Sequence, residues 1–129
     1  MSGSIDTSKL NTPPEQHEMD TALFLAEQGK NIVFLQPSNI RETHTPDIVM
    51  DGLEWEIKCP QGKSKHTIEN NIKAAVLQSC NIIIDLRRVG IPEDKCMAQI
   101  QKQFDVRKSI KRVLVITKGK ELITLFRNY

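Results

Sequence analysis

Thr45-Pro46-Asp47-Ile48-Val49-Met50-Asp51-Gly52-Leu53-Glu54-Trp55-Glu56-Ile57-Lys58 reads as two short strands joined by Asp51-Gly52, a dipeptide that favours a two-residue hairpin turn. In that register position 50 faces 53 and position 47 faces 56. Asp47 and Glu56 are then opposed on one face, with Cβ atoms ~5 Å apart. Like charges so placed destabilise a hairpin unless something positive sits between them. Lys58 follows Glu56 by two residues and projects from the same face. Ile48, Met50, Leu53, Trp55 and Ile57 form the other, core-facing side. Two acids and a lysine gathered opposite a packing face are the layout of a divalent-metal site.

The surrounding chain limits what such a site can serve. The 129 residues suit one compact domain. Met1 to Pro14 has no apolar signal-peptide core and reads as a flexible leader over residues 1–12, ahead of a single domain over 13–129. No apolar run is long enough to span a membrane. Cys59, Cys80 and Cys96 are an odd set without Cys-x-x-Cys spacing, which argues for reduced thiols and a cytosolic workplace. Residues 1–60 hold four Lys/Arg and ten Asp/Glu, whereas residues 61–129 hold fourteen and six. An acidic site half joined to a basic half suits an enzyme acting on a polyanion.

The flanking elements follow from periodicity and punctuation. Thr12-Pro13-Pro14-Glu15 has the form of a capping box with proline at the first helical position. The helix it opens has the apolar stripe Met19, Ala22, Leu23, Ala26 and stops at Gly29. Asn31–Leu35 reads as a strand, residues 36–44 as a polar loop, and the hairpin strands as 46–50 and 53–59. A break at Pro60–Lys65 precedes a helix over 66–79 with Ile68, Ile72, Ala75 and Val76 inward. Asn81-Ile82-Ile83-Ile84-Asp85-Leu86 is nearly continuous in apolar character, which predicts a strand buried on both faces. A third helix starts at Pro92 and buries Met97, Ile100 and Phe104; strands near 112–117 and 121–126 follow. The helix between Lys58 and Asn81 makes its flanking strands parallel neighbours. The expected fold is α/β, a mixed central sheet with helices on its faces, of order α-β-β-β-α-β followed by α-β-β.

Phosphodiester cleavage needs a metal to neutralise phosphate charge and to generate hydroxide near neutral pH. Asp47 and Glu56 supply hard oxygen ligands for magnesium or manganese, with zinc a further candidate. The backbone oxygen of Ile57 lies between Glu56 and Lys58 and can add a ligand. Lys58 can orient or deprotonate the water, or meet the charge developing on phosphorus.

Pro46-Asp47 and Glu56-Ile57-Lys58 resemble the two halves of the PD-(D/E)xK nuclease motif, and the order α-β-β-β-α-β is similar to that superfamily's core. More narrowly, the chain resembles the C-terminal toxin domains of contact-dependent growth inhibition proteins, a group that includes tRNA-cleaving nucleases. That likeness runs from Glu18 to Arg88. It includes Glu18-x-x-x-Ala22-x-x-Leu25-Ala26-x-x-Gly29, the Pro46-Asp47 hairpin, Thr67-x-x-x-Asn71 and Asn81–Leu86. The resemblance implies a supporting carboxylate on the first helix, for which Glu18 is the matching position, with Glu15 explained by capping. It also implies a cognate immunity protein as partner, and the target cell's cytoplasm as the place of action.

Lys63 and Lys65 precede a helix start whose backbone N–H groups favour phosphate. With His66, Thr67, Asn71 and Lys73 they form one candidate nucleic-acid surface. Arg87 and Arg88, just past a buried strand, form another at an edge where ligands often sit in α/β sheets. Taken with the resemblance, which implies the toxin role and favours tRNA over DNA as substrate, the favoured function is a metal-dependent endonuclease toxin. The alternatives are a DNA endonuclease of the restriction or resolvase kind, and a non-catalytic nucleic-acid-binding domain.

Overall fold

A computed structural model describes residues 2–37 and 45–127. Its elements are β1 (Ser4–Asp6), α1 (Gln16–Glu27), β2 (Asn31–Phe34), β3 (Ile48–Met50), β4 (Leu53–Lys58), α2 (Thr67–Ala75), β5 (Asn81–Asp85), α3 (Glu93–Val106), β6 (Arg112–Ile116) and β7 (Leu122–Phe126). The seven strands form one mixed sheet in chain order. β1 runs parallel to β2, β2–β3–β4 are antiparallel, β4–β5–β6 are parallel, and β7 returns antiparallel to β6. Each parallel step from β4 to β6 carries a helix, as a parallel connection requires.

Asp51 and Gly52 both have positive φ, 55° and 75°, the conformation that lets a two-residue turn follow the twist of its strands. Met50 pairs with Leu53, Val49 with Glu54 and Ile48 with Trp55, the expected register. The ladder ends there, one residue short of Asp47. The Asp47 N–H donates to the Trp55 carbonyl at 3.0 Å, so Asp47 sits on a bend at the mouth of the hairpin.

β5 is buried at every residue. Ile82 and Ile84 belong to a core with Ile68, Ile72, Ile100 and Phe104 from α2 and α3. Ile83 joins the opposite core, with Leu25 of α1, Phe34, Ile48, Trp55 and Ile57. Helices on both sides of the sheet explain why this strand lacks alternation. On β4, Trp55 and Ile57 point toward the α1 side, so Glu54, Glu56 and Lys58 alternate to the side of α2 and α3.

Several sequence expectations need correction. Ser4–Asp6, assigned to the leader, forms β1, pairing with Asn31–Val33; the short polar strand carries too little apolar pattern to reveal itself. α1 begins at Gln16, with Glu15 rather than Thr12 at the N-cap, because each residue before a proline is driven to extended backbone and Thr12 and Pro13 both precede one. Leu23 is 48% exposed, and Phe24 and Leu25 are buried in its place. α2 is shorter than expected, ending at Ala75, and His66 holds its N-cap position without a side-chain capping bond. In α3, Cys96 and Gln103 are buried with Ile100 and Phe104, while Met97 only packs at the margin. The loop expected over 36–44 has its residues 38–44 outside the described residues.

Candidate active site

The hairpin mouth brings three carboxylates together. Asp47 comes from the bend before β3, Glu56 from β4, and Glu18 from the first turn of α1. One Asp47 oxygen is fixed, because the Ile57 N–H donates to Oδ2 at 2.8 Å. Glu56 is 7% exposed. Burial, then the neighbouring Asp47 charge, pushes its carboxyl up to about 8, and Lys58 offsets only part of this. Burial and then the Asp47 charge likewise push Glu18 up to about 7, against a backbone hydrogen bond from Glu15. That last bond is the reciprocal half of a capping box, so Glu18 both closes the helix start and faces Asp47.

Lys58 Nζ lies 3.5 Å from Glu56 Oε2. Glu56 Oε1 is buried and makes no hydrogen bond. A buried carboxylate oxygen with no partner costs free energy, and so does a cluster of acids whose proton affinity has been raised. A divalent cation would remove both costs at once, and the all-oxygen donor set would suit a hard metal. Among the described residues, no group of three or more His, Cys, Asp or Glu stands ready-made as a metal cage. Asp47 and Glu56 are the side chains best placed to hold such an ion, and waters or phosphate would complete its shell.

The other expected residues separate into two surfaces. Lys63, Lys65 and His66 are exposed just before α2, and Lys73 is exposed in its last turn. The Gly90 N–H donates to the Gly62 carbonyl at 2.8 Å, and a Cβ at Gly90 would stand 2.7 Å from Lys63 Cγ, so this loop is seated against the one after β5. Thr67 and Asn71 are half-buried, and the Asn71 amide donates back to the Thr67 carbonyl at 2.8 Å.

Arg87 and Arg88 lie elsewhere, at the carboxyl end of β5. Arg87 is spoken for within the protein. Its Nε and Nη2 donate to the Asp85 carboxylate at 2.9 and 2.8 Å, Nη2 also donates to the Asp20 carbonyl, and its guanidinium lies 5.0 Å from the Phe24 ring centroid. Asp85, 4% exposed, also accepts from Thr21 Oγ1 at 2.7 Å. Burial alone would raise the Asp85 carboxyl, but the Arg87 and Thr21 hydrogen bonds hold it below the usual carboxylate range. The Thr21–Asp85–Arg87 network clasps α1 to β5 and so sets where Glu18 stands. Sequence reasoning missed Thr21 and Asp85. The available signal was an acid closing an otherwise apolar strand two residues before an arginine. Arg88 is exposed and donates from Nε to the Cys59 carbonyl at 3.0 Å.

The fold and this cluster define a mixed α/β domain with an acidic centre, flanked by a lysine, at the open end of a hairpin. The model of the contact-dependent growth inhibition CdiA C-terminal domain matches residues 43–122, and the chain belongs to that family. A chain of the CdiA-CT/CdiI toxin and immunity complex from Burkholderia pseudomallei has the same fold, with a TM-score of 0.71 and 20% identity over 97% of this chain and 100% of that one. No curated protein matches the sequence. Among the described residues, no helix is long and apolar enough to cross a membrane.

Proposed function

We propose that this domain is a metal-dependent endonuclease toxin of the PD-(D/E)xK type, acting on nucleic acid and preferentially on tRNA. The observation that carries the reading is the convergence of Glu18, Asp47 and Glu56, with Lys58 3.5 Å from Glu56 and Glu56 Oε1 left without a partner. The run α1–β2–β3–β4–α2–β5 supports the superfamily assignment, since it has that core's order. Asp47, Glu56 and the Ile57 carbonyl would hold magnesium or manganese, or else zinc. When bound, the metal would neutralise phosphate charge and lower the pKa of water. Lys58 would orient the attacking water or stabilise the negative charge growing on phosphorus. Glu18 would complete the acidic shell from α1.

Family membership supports a toxin role in growth inhibition, with the target cell's cytoplasm as its place of action. The similar fold occurring in a toxin and immunity complex supports a cognate immunity protein as partner. The preference for tRNA draws on the exposed lysines around α2, which suit backbone contacts to a folded RNA. The test is incubation of purified protein with total tRNA and with plasmid DNA, each with magnesium or EDTA. Metal-dependent tRNA fragments support the reading. Cleavage of DNA alone moves the substrate to DNA and keeps the site. Binding without cleavage in every metal makes the domain a non-catalytic binder.

A further inference from the structure

A cavity of about 620 Å³ lies apart from Asp47, Glu56 and Lys58, none of which lines it. It opens on the α1 side, at the carboxyl ends of the parallel strands β4, β5 and β6. Cys59 follows β4, Asp85 and Arg88 come from the end of β5, and Lys120 comes from the turn after β6. Crevices at the carboxyl ends of parallel strands are where α/β sheets usually bind ligands, and this volume lies within the roughly 300–1,000 Å³ of small-molecule pockets. The cavity is also next to the acidic centre. Arg88 is anchored on the Cys59 carbonyl, one residue past Lys58, and His17, which lines the wall, precedes Glu18.

Its lining divides by chemistry. One wall is Leu23, an apolar side chain of α1 that is 48% exposed, together with Phe24. Arg87 lies over Phe24, and its charge is already neutralised by Asp85, so it presents a flat, weakly hydrated surface rather than a free cation. Among the described residues Arg88 and Lys120 form no ion pair, and they bring positive charge to a rim that Glu27 shares: Arg88 is exposed and its only hydrogen bond among those described goes to a neutral carbonyl. Asp20 and Gln28 add groups able to pair with a base edge. A flat apolar wall, a guanidinium plane and rim cations match the parts of a nucleotide: a base to stack and a phosphate to pair.

We propose that this cleft is a nucleotide subsite. It takes one splayed base of a nucleic-acid strand against Leu23 and the Phe24–Arg87 stack, with the adjoining phosphate toward Arg88 and Lys120. The inference rests on the nuclease reading and deepens it. The strand would cross the end of the sheet, with the reacting phosphate at Asp47 and a flanking nucleotide in the cleft, so a substrate with unpaired nucleotides is required.

The probes are the four nucleoside 5′-monophosphates and inorganic phosphate, titrated in EDTA into isotopically labelled wild-type protein and followed by amide chemical shifts. Shifts at Leu23, Arg87, Arg88 and Lys120 with a nucleotide, and not with phosphate at equal concentration, are expected. No shifts there, or equal shifts with phosphate alone, would overturn the proposal. Leu23→Asp and Arg88→Glu alter exposed side chains and open no core void; each should weaken nucleotide binding about tenfold. In cleavage of a single-stranded RNA oligonucleotide, both should raise KM with kcat nearly unchanged. Weakened mononucleotide binding with KM unaltered would mean a site for free nucleotides and would reject the polymer subsite. If wild-type protein cleaves nothing yet nucleotides bind the cleft, the nuclease reading fails while the cleft's ligand class stands. If Leu23→Asp does not fold, Arg88→Gln with the same two readouts decides.

Discussion

The backbone N–H of Ile57 donates to Asp47 Oδ2 at 2.8 Å, so the strand that carries Glu56 and Lys58 itself holds the Asp47 carboxylate. This bond replaces the ladder pairing that ends at Ile48 and Trp55. It aims Asp47 at Glu56 and Glu18 in spite of charge repulsion. On the proposed function, this arrangement would serve a divalent cation held by Asp47 and Glu56.

Asp47→Ala should therefore abolish divalent-ion binding measured by calorimetry and reduce cleavage well beyond the ~10–100-fold typical of residues that only support metal ligands. The loss of one hydrogen bond is offset by relief of repulsion on Glu18 and Glu56, so the melting temperature should change little. Equal metal binding by variant and wild type would remove Asp47 from the site.

Lys58→Ala should eliminate cleavage while preserving the fold. The side chain is only partly covered, so truncation opens no core cavity and should change stability by no more than about 1 kcal/mol. Wild-type cleavage rates in this variant would make the lysine structural.

The acidic cluster makes stability depend on pH. Glu56 and Glu18 are pushed to about 8 and about 7 from an ordinary value of 4.5. A folded state that holds protons more tightly than the unfolded chain gains stability where those protons are bound. In EDTA, stability should fall as pH rises from about 4.5 through about 8. Urea denaturation at intervals across that window should show the decline. Magnesium should blunt it, and Glu56→Gln should flatten it by removing the group with the larger shift. Stability that rises across the window would contradict the cluster's electrostatics.

Asp85 responds in the opposite direction. Its carboxyl is held below 3.8, so its contribution is present at neutral pH and lost as pH falls through that range. Asp85→Ala leaves Arg87 and Thr21 without their shared partner and should cost on the order of 3 kcal/mol at pH 7. Because the network clasps α1, the variant should also weaken metal binding through Glu18. Unaltered stability would mean that the clasp does not hold the helix.

Expression of the active domain alone should arrest growth, and the product of the adjacent gene should restore it and co-purify. An acidic contact surface on that partner would complement the basic second half of this chain. Harmless expression of a nuclease-active domain would count against a toxin.

The hairpin was legible because its determinants are local. Asp51-Gly52 fixes the turn, and period-two alternation separates Ile48, Met50, Trp55 and Ile57 from Glu56 and Lys58. The apolar run at Ile82–Ile84 likewise announced a strand covered on both sides. These features were read from neighbours in sequence, and they placed Asp47, Glu56 and Lys58 together. What the sequence could not give was anything set by contacts between distant segments. Thr21 meets Asp85 across 64 residues, and nothing local marks either as a partner. Arg87 looked like a free cation until the fold placed Asp85, Asp20 and Phe24 around it. β1 exists only because Asn31–Val33 offers an edge to pair with. Turn chemistry and side-chain alternation act within a few residues and survive in one dimension. Which buried charge is neutralised, and which wall faces a cleft, depends on packing in three dimensions.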